Sequence, residues 1–282
     1  MTETVPAVPS ATAATYVFAV CRRVDEDVLA RLPGITTAPV RALPFERLRA
    51  VVQEVPAAEA GRGSWTERLS DPGELERCVR AHHRVVTAVA AHGPAVPMAL
   101  ATIYSSEERA RQALGDGAAR FHTVLERVDG RVEWGVKVYV PSAAGVSSAA
   151  GAGRTAVPAS VPGGSPASGA GRAYLERVRG AHRAREESRR AALLAAEETD
   201  AELRGLAVAA RRLRLQDQQL TDGHRAQVLN GAYLVEEGRT ARFREAVAAL
   251  RERTGALIEL SGPWVPYSFA SFAGEDALHG DR

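Results

Sequence analysis

Aromatic residues are scarce in this chain, at 5% of 282 residues, and lysine is almost absent. Lys137 is the only lysine, so arginine carries nearly all of the basic charge. The formal net charge of +2 gives no electrostatic argument for binding to nucleic acid or to an anionic membrane. No apolar run reaches the ~18 residues that a membrane-spanning helix needs, so no membrane segment is predicted.

Cysteine is equally rare. Cys21 and Cys78 make neither a disulfide framework nor a metal site, so a reducing, cytoplasmic compartment is expected. The histidines are scattered, and no pair has the helical spacing and carboxylate partner of a metal site. Neither a phosphate-binding glycine loop nor a GxSxG nucleophile elbow occurs. We therefore predict no catalytic residues, no cofactor and no metal, and a protein that is not an enzyme.

A composition break divides the chain. Residues 141–170 are almost entirely Ala, Gly, Ser, Pro and Val, which predicts a flexible low-complexity loop. Residues 1–14 lack the basic region and apolar core of a secretory signal, and with residues 273–282 they are expected to be disordered tails. The expected division is an N-terminal α+β domain, 15–129, and a C-terminal domain, 130–272, which contains the loop.

In the N-terminal part, apolar runs predict four strands and a short first helix. The strands are expected at 16–21, 40–43, 48–55 and 96–104, and the helix at 24–32. Asp71 predicts the start of a long helix, because Pro72 suits its first position and Glu74 follows three residues after the cap. Ser105 and Glu108 form a second capping box.

The C-terminal part opens with the alternating strand RVEWGVKVYV (131–140), which predicts one buried face. That face is expected to carry Val132, Trp134, Val136, Val138 and Val140, and the other face Arg131, Glu133, Lys137 and Tyr139. The elements expected next are a helix at 172–210, divided at Gly180 and Gly205, strands at 211–216 and 228–237, a helix at 241–255 and a strand at 256–260. The order β-α-β-β-α-β predicts a ferredoxin-like antiparallel sheet covered by two helices.

RNA-binding sheets of this kind carry stacking aromatics on their central strands. The central stretch GAYLVEEG (231–238) offers only Tyr233, so no nucleic-acid binding is predicted.

The most informative stretch is SGPWVPYSF (261–269). It places Trp264, Tyr267 and Phe269 close together in an aromatic-poor chain, and prolines such as Pro266 stiffen it. One interpretation is a structural plug whose aromatics seal the sheet that they follow. The other is a rigid aromatic anchor for a partner, since such side chains supply much of the contact area of interfaces. The first interpretation is favoured.

Six segments occur in the order found in one known family. They are YVFAVC (16–21), LPGI (32–35), ELERCVRAHHRVV (74–86), EWGVKVYV (133–140), GRAYL (171–175) and GPWVPYSF (262–269). The chain thereby resembles the gas vesicle protein F/L family, and the specific part is EWGVKV followed much later by GPWVPYSF. It departs from the family pattern at Ala99, where Arg is usual, at Ala101, where Gly is usual, and at Val265, where a second Pro is common.

The resemblance implies two α+β domains, the second with a modified ferredoxin-like fold. It also implies a cytoplasmic and vesicle-associated accessory protein that binds the hydrophobic shell protein and other accessory proteins during gas vesicle assembly. Partner-binding or structural roles are implied for Trp134, Lys137, Trp264, Pro266, Tyr267 and Phe269. Two alternatives stay open: a ferredoxin-like protein that binds or converts a small molecule, and a scaffold whose helix at 172–210 pairs with another helix.

Overall fold

The computed structural model describes residues 13–57, 62–140, 167–215 and 226–270. Over these residues the chain is a mixed α+β protein with two sheets, and the strand pairs whose register is described are antiparallel. Most of the predicted tails and most of the predicted loop at 141–170 lie outside the described residues.

The chain divides into two compact units. The first unit comprises Met1–Glu133 and Pro263–Arg282, and the second comprises Trp134–Gly262. The boundaries expected from the sequence, 15–129 and 130–272, differ mainly at the end of the chain. Residues 263–270 comprise the last two residues of the final strand and the residues that follow it, but they belong to the first unit.

The first unit is a sheet with helices on both faces. Its elements are β1 (Ala13–Cys21), α1 (Glu26–Ala30), β2 (Arg41–Phe45), β3 (Leu48–Pro56), α2 (Arg62–Ser70), α3 (Pro72–Ala90), β4 (Ala95–Pro97), β5 (Ile103–Tyr104), α4 (Glu107–Asp116), α5 (Ala118–Val128) and the short α8 (Tyr267–Ala270). The strand order is β2-β3-β1-β4, and β5 also pairs with β1.

Strand β1 is central and is buried on both faces. Tyr16 and Phe18 belong to an apolar cluster with α3, whereas Val17 and Val20 belong to a second cluster with α4 and α5. A strand that is covered on both faces carries a continuous apolar run instead of an alternating one, which explains the sequence YVFAVC.

The helix starts follow local capping chemistry. The Asp71 side chain accepts a hydrogen bond from the Glu74 N–H (2.8 Å), which confirms the predicted start of α3. The cap of α4 is Ser106, which accepts from Arg109 N–H (3.2 Å), one residue later than predicted. Gly117 then separates α4 from α5.

The prediction of one strand over 96–104 is wrong in its middle. Strand β4 ends at Pro97 and β5 begins at Ile103, and the residues between them form a turn. Ala101 has a φ of 64° in this turn, and its N–H donates to the Tyr16 hydroxyl (3.2 Å). This left-handed conformation is one that glycine adopts without steric cost, which accounts for the glycine of the family pattern.

The second unit is a four-stranded sheet. Its elements are β6 (Arg131–Tyr139), α6 (Ala167–Leu206), β7 (Ala209–Arg212), β8 (Gln227–Glu236), a single 3-10 turn (Glu237–Arg239), α7 (Thr240–Thr254) and β9 (Leu257–Trp264). The strand order is β7-β8-β6-β9. Phe243 of α7 packs on Trp134 and Tyr233, with ring centroids 6.2 and 5.8 Å apart.

Three details of the second unit differ from the sequence prediction. Helix α6 is continuous, because one glycine such as Gly180 costs a helix only about 1 kcal/mol. Strand β7 is shorter than the predicted 211–216 and begins earlier. Strand β6 is also buried at Glu133 and Tyr139 on its second face, where the Tyr139 hydroxyl donates to the Glu259 carboxylate (3.0 Å).

A buried carboxylate links three elements of this unit. Asp200 on α6 accepts hydrogen bonds from the Tyr233 hydroxyl (2.7 Å), from Arg204 (3.0 Å) and from Arg212 (2.8 Å). Burial alone would raise the pKa of Asp200, but these donors outweigh it and hold the pKa below its usual value. Asp200 therefore stays charged and joins α6 to β7 and β8.

Replacing Ala101 by glycine is expected to stabilise the protein by up to about 1 kcal/mol, since glycine relieves the left-handed strain but adds freedom to the unfolded chain. Urea denaturation of Ala101→Gly measures the change. Ala99→Gly is the matched control, because Ala99 lies in the same turn without a positive φ, and it should lower the stability slightly. A loss of stability in Ala101→Gly would contradict the assigned backbone conformation.

Candidate functional site

The six residues for which partner-binding or structural roles are expected do not form one site. Trp134 is in the core of the second unit, and Lys137, on the opposite face of the same strand, is half-buried beside a shallow hollow. Trp264, Pro266, Tyr267 and Phe269 belong instead to the first unit. We refer to residues 263–270 as the closing segment.

The closing segment packs on the core of the first unit. Val265 and Tyr267 contact the cluster that contains Tyr16 and Phe18, and Ala270 belongs to the cluster on the other side of the sheet. Pro266 and Phe269 are buried as well. The favoured interpretation, that these aromatics seal the sheet that they follow, is corrected: they pack with the core of the other unit.

A buried carboxylate holds the closing segment. Glu133 accepts a hydrogen bond from the Ser268 N–H (2.8 Å) with one carboxylate oxygen, and from the Ser268 hydroxyl (2.6 Å) with the other. Ser268 is in the first turn of α8, whose N–H groups have no partner within the helix. Charge-assisted hydrogen bonds of this kind are short and strong. We call this pair the Glu133–Ser268 clamp.

The same two sequence motifs meet a second time in the second unit. Gly135 lies so close to Ser261 that a Cβ at position 135 would stand 2.6 Å from the serine hydroxyl oxygen. A side chain at position 135 would therefore displace the Ser261 hydroxyl, which donates a hydrogen bond to the Gly135 carbonyl (3.4 Å). The motifs EWGVKV and GPWVPYSF are thus coupled by direct contacts at Glu133–Ser268 and, one residue before the second motif, at Gly135–Ser261.

Beneath the closing segment lies a buried hydrogen-bonded pair. The Tyr16 hydroxyl is 2.8 Å from His82 Nδ1, and it also accepts a hydrogen bond from Ala101 N–H. Burial lowers the pKa of His82 to about 4, so the ring is neutral at pH 7. Both side chains are buried, so the pair forms part of the packed core of the first unit.

Tyr267 packs above this pair with its hydroxyl inside the protein. No hydrogen-bond partner for this hydroxyl is found among the described residues. Burial raises the pKa of Tyr267, so the phenol stays neutral. The ring, and not the hydroxyl, therefore supplies the stabilising contact.

Trp264 differs from the other tryptophans in its exposure. It is 46% exposed, whereas Trp65 and Trp134 are each 4% exposed. Its ring centroid lies 5.9 Å from that of His83 on α3. The half-buried His83 follows two exposed apolar residues, Leu75 and Val79, at intervals of four residues along one row of the helix. Leu75, Val79, His83 and Trp264 together are called the Trp264 patch.

The described residues offer little support for a catalytic centre. They contain no group of three or more His, Cys, Asp or Glu side chains that could hold a metal ion. A hollow between α6 and α7 is open and mixes charged side chains, such as Arg242 and Glu245, with small residues such as Ala246. Among the described residues, no helix is long and apolar enough to cross a membrane.

Comparison with known proteins identifies the family. The sequence profile described as "Gas vesicle synthesis protein GvpL/GvpF" matches residues 14–271. The chain belongs to the GvpL/GvpF family. It is similar to gas vesicle protein L of Streptomyces sp. (strain CB03234), with 37% identity over 93% of this chain and 94% of that protein. Membership gives the chain an accessory role in gas vesicles.

Two crystal structures of GvpF proteins share the fold. One, from Anabaena sp. PCC7120, has a TM-score of 0.64 over 93% of this chain and 97% of its own. The other, from Microcystis aeruginosa, has a TM-score of 0.57 over 92% and 99%. Both are 16% identical to this GvpL/GvpF chain, so the likeness concerns the fold.

Sequence reasoning missed several residues that shape this region. Glu133 and Ser268 lie inside the motifs EWGVKVYV and GPWVPYSF, but no feature of these motifs indicates that the two residues are partners. The sequence pattern of α3 predicts one apolar stripe of Leu75, Val79, His82, Val86 and Val89, and this is wrong for Leu75 and Val79, which are exposed. The sequence feature that could have indicated the Glu133–Ser268 contact is the carboxylate of Glu133 in an otherwise apolar strand, since a buried carboxylate needs hydrogen-bond donors.

The Glu133–Ser268 clamp is expected to contribute to folding stability. Glu133→Gln and Ser268→Ala should each lower the free energy of unfolding by about 1–2 kcal/mol, with a coupling of about 1 kcal/mol in the double variant. Urea denaturation of the four proteins measures this cycle. The exposed Glu126→Gln is the control and should change stability by less than about 0.5 kcal/mol. A coupling of zero would show that the clamp is not energetically significant.

Tyr267→Phe should leave the stability unchanged or raise it by up to about 1 kcal/mol, because it removes a buried hydroxyl that lacks a partner. Tyr267→Ala should lower the stability by about 2–4 kcal/mol, because it deletes the ring from the cluster. Thermal and urea unfolding of both variants provide the measurement. A clear loss in Tyr267→Phe would mean that the hydroxyl has a hydrogen-bond partner.

Proposed function

We propose that this GvpL/GvpF chain is a non-catalytic accessory protein that binds the gas vesicle shell protein and other accessory proteins during assembly. Its place of action is the cytoplasm and the gas vesicle, without a membrane or nucleic acid as partner. The observation that carries the proposal is the Trp264 patch, an exposed tryptophan held on a rigid support. Tryptophan is among the residues that dominate binding energy at protein interfaces.

The support is rigid for physical reasons. Pro263 and Pro266 flank the tryptophan and restrict its backbone, and the Glu133–Ser268 clamp fixes the helix that follows. A preorganised anchor loses little conformational entropy on binding, so more of its contact energy appears as affinity.

The chemistry of the patch suits an apolar partner. A hydrophobic shell subunit aggregates unless another surface covers it or directs its assembly. Leu75, Val79 and Trp264 supply exposed apolar area. Covering such a subunit requires no nucleophile and no cofactor.

We further propose that the two units are separate domains and that the second is a modified ferredoxin-like domain. The order of its elements, β6-α6-β7-β8-α7-β9, and the central position of β8 and β6 in the sheet support this assignment. The second unit then has a structural role, because the space between its sheet and its helices is filled by side chains such as Phe243 and Leu250.

Trp264→Ala is expected to weaken retention of the shell protein by about 30-fold or more, as loss of an interface hot spot of about 2 kcal/mol does. Co-purification of tagged full-length chain with the shell protein measures retention. Leu194→Ala is the control, because Leu194 is a large exposed apolar residue on α6, outside the patch.

Unfolding of Trp264→Ala checks that the half-exposed side chain is not needed for folding. If the intact protein retains neither the shell protein nor an accessory protein, the proposed function is wrong. If it retains the shell protein equally well without Trp264, binding occurs but the patch is not the binding surface.

A further inference from the structure

Helix α6 has two halves with different surroundings. Between Ala192 and Leu206 it packs on the second unit, and its buried residues there are Ala192, Ala195, Ala196, Thr199, Asp200 and Leu203. Between Arg172 and Arg190, by contrast, the described side chains are exposed, apart from a half-buried Ser188. We call residues 172–190 the arm. At 1.5 Å per residue it is about 28 Å long.

An apolar stripe of the packed half continues along the arm. Val178 and Ala181 stand 18 residues, or five turns, before the buried Ala196 and Thr199, so they lie on the same helix face. Leu175 lies one turn before Val178 and extends the stripe. On the packed half this face meets the second unit, but on the arm Leu175 and Val178 are 52% and 46% exposed.

Arginines form a row beside this stripe. Arg172, Arg179, Arg183 and Arg190 are spaced by seven, four and seven residues, which places them along one side of the helix. All four are exposed, and none of them forms an ion pair with a described residue. On the arm, His182 Nδ1 lies 3.4 Å from a carboxylate oxygen of Glu186.

The acidic groups of the packed half are already engaged. Glu197 and Asp200 pair with Arg212, and Glu198 and Glu202 pair with Arg253. A second copy of the chain could satisfy the arm's arginines with these carboxylates only by breaking existing pairs. The arm itself carries seven arginines and three glutamates, Glu176, Glu186 and Glu187, so two arms side by side would bring together an excess of positive charge. Charge complementarity therefore favours a more acidic protein over a second copy as the partner of the arm.

The arm also has a physical reason to be covered. Gly180 lies near its middle and costs about 1 kcal/mol relative to alanine. Its described side chains are almost all exposed, so it gains little from tertiary packing, and a bound partner would stabilise it.

We propose that the arm binds an amphipathic helix of another protein, with acidic residues opposite the arginine row and apolar residues on the Leu175–Val178–Ala181 stripe. This inference rests on the proposed function in one respect, that the chain acts by binding other proteins. It uses a surface and a chemistry different from those of the Trp264 patch.

The direct test uses a designed peptide helix of three heptads as the probe, with leucine at the a and d positions and glutamate at e and g. A second peptide with lysine in place of glutamate is the matched probe. Fluorescence anisotropy with the full-length chain should show at least about tenfold tighter binding of the acidic peptide, and this preference should shrink as salt is added.

The combined variant Arg172→Glu, Arg179→Glu and Arg183→Glu should reverse the preference between the two peptides. The control variant Arg23→Glu, Arg120→Glu and Arg244→Glu carries the same change of net charge on exposed arginines elsewhere and should keep it. Leu175→Gln with Val178→Gln should weaken binding of the acidic peptide by about tenfold at high salt, where apolar contacts dominate.

Equal binding of both peptides, or a preference that the arm variants do not change, would overturn the inference. So would binding of vesicles of phosphatidylserine and phosphatidylcholine with the same arginine dependence, since the arm would then contact lipid. A dimer in sedimentation that the arm variants dissolve would assign the arm to a second copy.

Shell-protein co-purification in parallel separates the two proposals. Arm variants that lose the acidic peptide but keep the shell protein confirm that the arm is a separate surface. A Trp264→Ala variant that loses the shell protein but binds the peptide unchanged also confirms that the patch and the arm are separate surfaces. If neither the shell protein nor the peptide binds, both proposals are wrong.

Discussion

The Glu133 carboxylate and Ser268 determine how this chain closes on itself. They are 135 residues apart in sequence, and the whole second unit lies between Glu133 and Pro263. Joining two points so far apart costs loop-closure entropy, which grows only slowly with loop length. Two charge-assisted hydrogen bonds, together with the burial of Val265, Tyr267 and Phe269, offset that cost. The closing segment, and with it Trp264, has a defined position because this contact exists.

Buried polar side chains hold the surrounding backbone in place at several positions in the fold. Gln53 in the first unit accepts from Ile35 N–H (2.8 Å) and Thr36 N–H (3.2 Å), and its amide donates to backbone carbonyls of the same loop. A side chain at Gly34 would overlap the amide of Gln53, which explains the glycine in LPGI. Asp200 does the same in the second unit. Each such group is satisfied by several partners, and this specifies a single arrangement of the backbone around it.

The sequence predicted local structure well wherever the cause is local. The cap at Asp71 and the alternation of Trp134, Val136 and Val138 depend on neighbours in sequence, and both are confirmed. The turn at Ala101 was missed because alanine carries no turn preference; a glycine there would have predicted it. Helix α2 was missed because few residues besides Trp65 and Leu69 mark an apolar face.

The placement of the closing segment could not be predicted from its neighbours in sequence. Its aromatic and proline content indicated a rigid apolar segment, which the structure contains. Strand β9 continues into it, and this continuity favoured packing on the same sheet. Which core receives a segment depends on shape and on unsatisfied groups elsewhere, here the buried Glu133 and the apolar surface around Tyr16. Those are long-range properties that a single sequence does not display.

The two exposed surfaces impose different physical conditions on their partners. The Trp264 patch offers apolar area, so binding there gains from the hydrophobic effect and is little affected by salt. The arm offers an arginine row beside a narrow apolar stripe, so its binding weakens as ionic strength rises. A partner that suits one surface is poorly matched to the other: an acidic helix gains nothing from the patch, and an apolar subunit leaves the arginines unpaired. Under the two proposals, the patch and the arm would therefore select partners of different chemistry.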